Sequence, residues 1–193
     1  MTVVRGRPRS VACDHAILAA ALGEYAERGL EGMSVDAVAA RAGVSKATIY
    51  RRYPSKIELV VAAAFTLAAE VAVKPDTGTL RGDLTASLRN LRKMLDDPEL
   101  GSATRMLVVD AIHYPELAAM HAEFVRGRRQ GTFEAFERAI ARGEMRADVD
   151  FEFVADQLGG PLFYRHLVLH ERVDDAYIDA VVDSLIARYG TGS

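Results

Sequence analysis

Residues 34–56 read SVDAVAARAGVSKATIYRRYPSK, and this stretch predicts two short helices joined by a tight turn. Ser34 and Ser45 are each suited to cap one of these helices, because a serine hydroxyl accepts a hydrogen bond from the open N–H groups of a first helical turn. Gly43 lies where the backbone must reverse with positive φ, which glycine adopts without steric strain. Pro54 then ends the second helix. Basic and hydroxyl side chains on that helix are typical of the helix-turn-helix, a DNA-binding motif.

Hydrophobic residues recur at helical spacing over the rest of the chain and alternating β-type runs are absent, which predicts an all-α fold of about nine helices. The first helix covers about residues 13–28, with Gly29 as a left-handed stop. The fourth begins with a capping box at residues 55–58 and is expected to continue to Val73. Gly-Gly-Pro at residues 159–161 is expected to bend or interrupt the eighth helix. The other helices of the C-terminal bundle are expected over about residues 80–95, 102–113, 115–142 and 174–189, with the eighth starting at Asp150.

The charge of the chain is uneven along its length. Of 193 residues, 50% are hydrophobic and 26% are charged, which suits a folded soluble protein, and the formal net charge is −3. Residues 1–60 hold nine Lys or Arg against six Asp or Glu, a formal charge of +3, and the remainder carries −6. A basic head on an acidic body directs the attraction for phosphate to the N-terminal end.

The sequence gives no indication of export or of a membrane span. The single cysteine, Cys13, has no partner for an internal disulfide, which fits a reducing cytosol. Arg5, Arg7 and Arg9 are not followed by the apolar segment that a secretory signal carries. The longest apolar run, residues 59–73, is shorter than the roughly 20 residues needed to cross a bilayer. We therefore expect a soluble, cytoplasmic protein.

One part of the chain resembles a known family. The matching residues are GVSKATIY at 43–50, Tyr53 and the pair Ser55-Lys56. They are similar to the DNA-binding domain of the tetracycline-repressor (TetR-like) family, and the similarity covers roughly residues 11–70. Arg52 stands where that family often has histidine, and with Arg51 it leaves a more basic helix end. The operator sequence of a relative therefore does not transfer to this chain.

The resemblance extends, less specifically, to GEMRADVD at residues 143–150 and GPLFYR at residues 160–165, which are similar to segments of the family's regulatory halves. It implies three parts, with a long fourth helix joining the last two: a flexible basic arm over residues 1–10, a DNA-binding domain over 11–70 with its motif at about 34–53, and a ligand-binding and dimerisation domain over 71–193.

The same resemblance implies a homodimeric, ligand-responsive transcriptional regulator, usually a repressor. The last two long helices of each subunit would pair into a four-helix bundle. The apolar stripe of the last helix, from Ile178 to Tyr189, also calls for a partner surface. A pocket among the middle helices would hold a small apolar or amphipathic effector, and no cofactor is implied.

The second helix of the motif is expected to enter the major groove of double-stranded DNA by its N-terminal end, at a palindromic operator. Lys46 and Thr48 would reach base edges, since lysine suits guanine acceptors. Other side chains would bind phosphates and set the register, with Arg51 and Arg52 suited to either task. The alternative is a group of ordinary exposed polar residues around a structural tyrosine pair. The candidate DNA-binding residues of this region are Ser34, Ser45, Lys46, Thr48, Tyr50, Arg51, Arg52, Tyr53 and Lys56.

The N-terminal arm is a second candidate for DNA binding. Its sequence Arg5-Gly6-Arg7-Pro8-Arg9 resembles the core of an AT-hook, in which arginines follow a narrow A·T-rich minor groove. The alternative is a disordered tail that is merely basic.

The candidate ligand-binding residues include methionines, whose flexible side chains adapt to irregular ligands. Aromatic residues and a few polar groups beside them would fix the orientation of the ligand. The alternative for each is plain core packing. His166 and His170 stand one helical turn apart, but no third metal ligand is placed by the sequence, so no metal site is expected. The candidate residues are Met94, Met106, Val109, His113, Met120, Phe124, Phe163 and His166.

Three functions compete at this point. The favoured one is a sequence-specific DNA-binding repressor released by a small molecule. An enzyme is disfavoured, because there is no nucleophile elbow, no Gly-rich phosphate loop and no Cys/His cluster, and His113 near Glu116 is only a faint acid–base pair. The third is a helical interaction module whose basic head contacts an acidic protein.

Overall fold

The computed structural model describes residues 7–71 and 74–192, with side chains for residues 11–70 and 74–192. Over these residues the chain forms nine α-helices, one π-helical segment and no β-strand, which confirms the expected all-α fold. The elements are α1 (Arg7–Gly32), α2 (Val35–Ala42), α3 (Lys46–Tyr50), α4 (Lys56–Val71), α5 (Leu80–Asp96), α6 (Pro98–His113), α7 (Pro115–Ala141), α8 (Phe151–Phe163), the π-helical segment (Tyr164–Leu169) and α9 (Asp175–Tyr189).

The chain divides into two compact units. The first joins the residues up to Glu70 with Asp97–Ala122, so it contains α1, α2, α3, nearly all of α4, and α6. The second joins Val71–Asp96 with Glu123–Ser193, so it contains α5, α8, the π-helical segment and α9. Helix α7 contributes residues to both units.

The core of the first unit is built from the apolar stripe of α1 and from buried residues of the helices around it. Ile17 and Tyr25 of α1, Val38 of α2, Ile49 of α3 and Val60 of α4 are all fully buried. Each complete burial of such a side chain stabilises the folded state by roughly 1.5–3 kcal/mol. Since α3 contributes Ile49 to this core, its other side chains are left for the surface.

Helix α1 breaks at Gly29, near its predicted end. Gly29 has φ 65° and ψ −178°, a backbone region that is essentially restricted to glycine, and a further turn of helix extends to Gly32. The positive φ was expected, but the extended ψ differs from the left-handed stop predicted there. The backbone N–H of Leu30 donates to Asp110 Oδ2 on α6 at 3.0 Å, so a residue distant in sequence caps the restarted turn.

In the second unit, α9 packs against α5 and α8 of the same chain. Ile178, Val182 and Leu185 of the α9 stripe are at most 4% exposed. The expectation that this stripe calls for a second subunit is therefore wrong, because α5 and α8 supply its partner surface within one chain. An aromatic cluster joins α7 to α8 nearby: the Phe136 and Phe151 rings meet edge to face with centroids 5.3 Å apart.

Several helix boundaries differ from the sequence prediction, and α1 begins at Arg7 rather than near Cys13. The α-helical part of α8 runs through Gly159-Gly160-Pro161 without interruption, and the backbone changes to π-helix at Tyr164. Helix α6 begins at Pro98 rather than near Ser102, because Asp97 caps it by accepting hydrogen bonds from the N–H groups of its first turn. Among the described helices, none is both long and apolar enough to cross a membrane.

Candidate nucleic-acid interface

Helix α2 has the caps that its sequence predicts. Ser34 Oγ accepts a hydrogen bond from Ala37 N at 3.4 Å. Gly43 ends the helix in the left-handed region, with φ 66° and ψ 32°. The N–H of Val44 donates to Ala39 O at 3.0 Å, which completes a Schellman turn. This turn sets the direction in which the chain enters α3.

Helix α3 is short and is held by its cap and one apolar anchor. Ser45 Oγ accepts a hydrogen bond from Thr48 N at 3.2 Å and lies 2.9 Å from Thr48 Oγ1. Ile49 is fully buried, and its carbonyl accepts hydrogen bonds from the N–H groups of Arg52 and Tyr53, both at 2.9 Å. The hydroxyls of Ser45 and Thr48 therefore serve the local structure of α3 first, and both remain partly open to solvent.

The exposed edge of α3 carries Lys46 and Tyr50, and the exposed Arg51 follows as its C-terminal cap. Lys46 Nζ donates to Asp36 Oδ2 on α2 at 2.9 Å, and both side chains are exposed. The hydrogen bond and the charge of Asp36 raise the pKa of Lys46, which keeps the ammonium group charged at neutral pH. Arg51 makes no ion pair with any described residue. These three side chains are accessible to a ligand in solution.

Arg52 is engaged within the first unit. Its Nε forms an ion pair with Asp14 Oδ1 on α1 at 2.7 Å, and its Nη1 lies 3.9 Å from Cys13 Sγ. Tyr53 beside it is half-buried, and burial together with the charge of Asp14 raises the pKa of its hydroxyl. The end of α3 is thus tied to α1, and Tyr53 keeps its proton as a neutral donor.

The start of α4 carries the predicted cap. Glu58 N donates to Ser55 Oγ at 3.1 Å, and Ser55 Oγ lies 3.5 Å from Glu58 Oε1. Lys56 is the first residue of α4, is half-buried and forms no ion pair with the described part of the chain. Its ammonium group lies at a helix N-terminus, where backbone N–H groups also favour an anion.

The arginines of the N-terminal arm fall largely outside the described part of the chain. Arg5 precedes the described residues. Arg7 and Arg9 lie in the first turns of α1, but their side chains are outside the described set. Their role in DNA binding stays a prediction.

Glu24 is a buried charge in this region that the sequence pattern did not single out. It is fully buried on α1, pairs with Arg28 Nε at 3.2 Å and lies 3.8 Å from Arg41 Nη1 on α2. Its Oε1 also accepts a hydrogen bond from Ser34 N at 3.4 Å. The one feature of the sequence that could have indicated this burial is the position of Glu24 three residues after Ala21, beside the apolar stripe of α1. Glu24 thereby holds the start of the helix-turn-helix onto α1.

The candidate ligand-binding residues are distributed over both units. Met106, Val109, His113 and Met120 belong to the first unit, where Val109 and His113 are exposed. Met94, Phe124, Phe163 and His166 belong to the second, where Met94 is buried. His166 borders a concavity of about 10 Å³ with Leu95 and Leu162 among its lining residues, which has room only for a group the size of one water molecule. His166 and His170 belong to no group of three or more metal-ligating side chains among the residues searched.

A capped helix-turn-helix with an exposed cationic edge, followed by an all-helical body, defines a class of DNA-binding regulators. Residues 17–63 match the family model described as bacterial regulatory proteins, tetR family. Residues 74–185 match the model of the tetracyclin repressor-like C-terminal domain. The chain therefore belongs to the TetR family of DNA-binding transcriptional regulators, which are not enzymes.

Individual relatives agree with this family assignment. The HTH-type transcriptional regulator YdeS of Bacillus subtilis is 34% identical over 92% of this chain and 90% of its own length. The DNA-binding transcriptional repressor TetR of Mycobacteroides abscessus is 35% identical over 95% of both chains. The crystal structure of the TetR-family transcription regulator SCO0332 superposes with a TM-score of 0.75 at 31% identity, covering 91% of this chain and 97% of that one.

Proposed function

We propose that two copies of this chain bind a palindromic operator as a repressor and that a small apolar or amphipathic ligand releases them. The observation that carries this proposal is the exposed edge of α3, where Lys46 and Arg51 are presented by a helix that is capped at Ser45 and anchored at Ile49. Repression is supported by the similar protein from Mycobacteroides abscessus, a DNA-binding transcriptional repressor.

Lys46 and Thr48 are assigned to base edges in the major groove, with Lys46 donating to guanine acceptors. Arg51 is assigned to DNA as well, because it is exposed and has no counter-charge among the described residues. Phosphate contacts come from Ser45, Tyr50, Tyr53 and Lys56, which set the register. Arg52 is given a positioning role through Asp14, since its guanidinium already has a carboxylate partner at 2.7 Å.

The dimer is proposed to form through the last two long helices, as the family resemblance implies. With the α9 stripe buried inside the chain, the support now comes from α8 and the π-helical segment that follows it. Phe153, Tyr164 and Val168 are large apolar or aromatic side chains that are 53%, 55% and 60% exposed. Exposed apolar groups on two consecutive elements are typical of an interaction surface.

The ligand is proposed to act by a population shift. It must bind the state that cannot dock on the operator more tightly than the state that can, because equal affinity for both shifts nothing. One protein of the same fold, FadR of Bacillus subtilis, was crystallised with stearoyl-CoA and superposes with a TM-score of 0.72 at 19% identity. The fold is therefore compatible with an amphipathic ligand. The stearoyl-CoA of FadR does not identify the ligand of this chain.

Selection of bound fragments from random duplex DNA tests the DNA-binding proposal directly. The full chain should select a palindrome whose half-site centres are about 34–36 Å apart or a multiple of that distance. Affinity for the selected duplex should exceed non-specific affinity by roughly 10³-fold, with a log–log salt slope of about −0.9 per neutralised phosphate. Equal affinity for all duplexes would contradict the proposal and favour a module that binds acidic proteins.

The dimer and the ligand response have separate tests. Val168→Asp should convert a dimer to a monomer in light scattering, while Val109→Asp on α6, which changes an exposed valine of the first unit, should leave the mass unchanged. A wild-type chain that is monomeric at micromolar concentration would contradict the dimer. For the ligand, a metabolite library is added to the protein–operator complex, and failure of every compound to release the DNA counts against induction.

A further inference from the structure

Arg128 on α7 is a partly buried cation of the second unit that has no carboxylate partner among the described residues. Its Nη1 lies 2.8 Å from Met94 Sδ on α5, and its guanidinium carbon lies 5.7 Å from the centroid of the Phe124 ring. A thioether sulfur is a weak acceptor, and an aromatic face offers a cation only its quadrupole. No ion pair to Arg128 occurs within the part of the chain that the structure describes.

The other arginines of this unit with similar partial burial are all paired. Arg129, the next residue in the chain, donates to Glu152 and to Asp156. Burial lowers the pKa of Arg129, but these hydrogen bonds outweigh it and the pKa is raised. For Arg128, burial lowers the pKa and no carboxylate opposes it. The remaining pairs are Arg92 with Asp175, Arg138 with Asp76 and Asp83, and Arg165 with Glu171.

An arginine that has lost water without gaining a counter-charge is in an unfavourable environment. The guanidinium stays charged at any ordinary pH, so it cannot relieve this penalty by losing a proton. Its planar fork of N–H donors matches the two oxygens of a carboxylate or phosphate, and such a bidentate pair is among the stronger hydrogen-bonded contacts in proteins. An oxyanion placed against Arg128 would supply the missing charge and acceptors together.

We propose that Arg128 is the anchor for the anionic head group of this protein's effector. The effector class is an amphiphile with a carboxylate or phosphate head and an apolar body, and Met94 and Phe124 contact the part next to the head. Met94 can move away from Nη1 as the oxyanion enters, because methionine has several rotatable bonds and fills irregular spaces. This inference rests on the proposed ligand response and names the chemistry of the ligand.

Direct binding to the full chain without DNA tests the anchor. The probes are two matched pairs that differ only in charge, octanoate with octanamide and 1-naphthoate with 1-naphthamide, and octyl phosphate as a third anion. By calorimetry, wild type should bind the acid of at least one pair about tenfold or more tightly than its amide. Comparison of octyl phosphate with octanoate then separates a phosphate head from a carboxylate head.

Two variants separate an anchor from a structural arginine. Arg128→Met should bind acid and amide within about twofold of each other, whereas Arg126→Met, which changes an exposed arginine of the same helix, should keep the wild-type preference. Without ligand, Arg128→Met should melt at or above the wild-type temperature, because it removes a poorly compensated charge. A structural arginine would instead give a lower melting temperature and no change in the acid-to-amide ratio.

The anchor is overturned if wild type binds no anionic probe, or binds acids no better than amides, or if Arg128→Met retains a tenfold preference. DNA selection is measured separately on the same variants. If the protein prefers acids over amides but shows no preference among duplex DNA sequences, the anion site is supported and the proposed function is refuted. Loss of the anion preference with intact duplex selection in Arg128→Met is the expected pattern.

Discussion

Tyr25 of α1 donates a hydrogen bond from its hydroxyl to Asp110 Oδ2 of α6 at 2.9 Å. The same oxygen accepts a bond from Leu30 N at 3.0 Å, so one carboxylate bridges the break in α1 at Gly29. Burial, followed by the bond and the charge of Asp110, raises the pKa of Tyr25 far above its ordinary value. Tyr25 therefore remains a donor across the whole accessible pH range.

Removal of this hydroxyl should weaken the first unit. Tyr25→Phe leaves the Asp110 carboxylate with the Leu30 N–H as its remaining described donor, and a hydrogen bond to a charged group contributes roughly 1.5–3 kcal/mol. We expect the free energy of unfolding, measured by urea titration, to fall by about that amount. Tyr50→Phe, on the exposed edge of α3, should change it by less than about 0.5 kcal/mol. Equal stability of Tyr25→Phe and wild type would show that the bond contributes nothing.

The ion pair of Lys46 with Asp36 should affect DNA binding rather than stability, because both groups are exposed. Lys46→Met should weaken operator binding on the order of tenfold to a hundredfold and relax the preference for one base per half-site. Asp36→Asn should tighten binding several-fold at low salt, since it removes a negative charge close to the phosphates. Asp179→Asn on α9, an exposed carboxylate of the second unit, is the control and should have no effect. Weaker binding by Asp36→Asn would contradict the expected sign.

Substitutions of Arg52 and of Lys56 should have different effects on the salt dependence of DNA binding. Arg52→Met removes the ion pair with Asp14 and should lower the free energy of unfolding by about 1 kcal/mol while leaving the salt slope of DNA binding unchanged. Lys56→Met should reduce the slope by about 0.9, the value for one phosphate contact. Fluorescence anisotropy over a range of salt concentrations measures both slopes. A reduced slope for Arg52→Met would show that Arg52 binds a phosphate after all.

His121 on α7 should make stability depend on pH. Burial lowers its pKa in the folded state, so the unfolded chain takes up the proton first as the pH falls. Stability is then unaffected above the ordinary histidine pKa of about 6.5 and declines as the pH falls below it. In His121→Gln the melting temperature should change less with pH between about pH 7.5 and 5.5, the range in which histidine titrates.

The exposed His113 provides the control for this prediction. His113→Gln should keep the wild-type decline, because its side chain is exposed. An unchanged pH profile in His121→Gln would assign the decline to other groups.

The helix-turn-helix could be predicted from the sequence because its determinants act over a few residues. Ser45 and Thr48 bond within one helical turn, and Gly43 has the positive φ that the turn requires. The exposed side of α3 followed from the same pattern once Ile49 was identified as its anchor. The role of Arg52 could not be predicted, because Asp14 and Cys13 come from a distant part of α1, with Cys13 lying 39 residues away in the chain.

The sequence by itself determined that the chain is helical and approximately where the helices lie, how α2 and α3 are capped, and that a basic helix follows a glycine turn. Only the tertiary structure decided which polar groups are paired and which apolar faces are covered. Tyr25 reaches an aspartate 85 residues away, and the α9 stripe is covered by α5 and α8. Among the described residues Arg128 has no carboxylate partner, whereas Arg129 has two. The physical reason is range. Caps and turns depend on neighbouring backbone groups, whereas the solvation and pairing of a charge depend on whichever helices the packed core brings beside it.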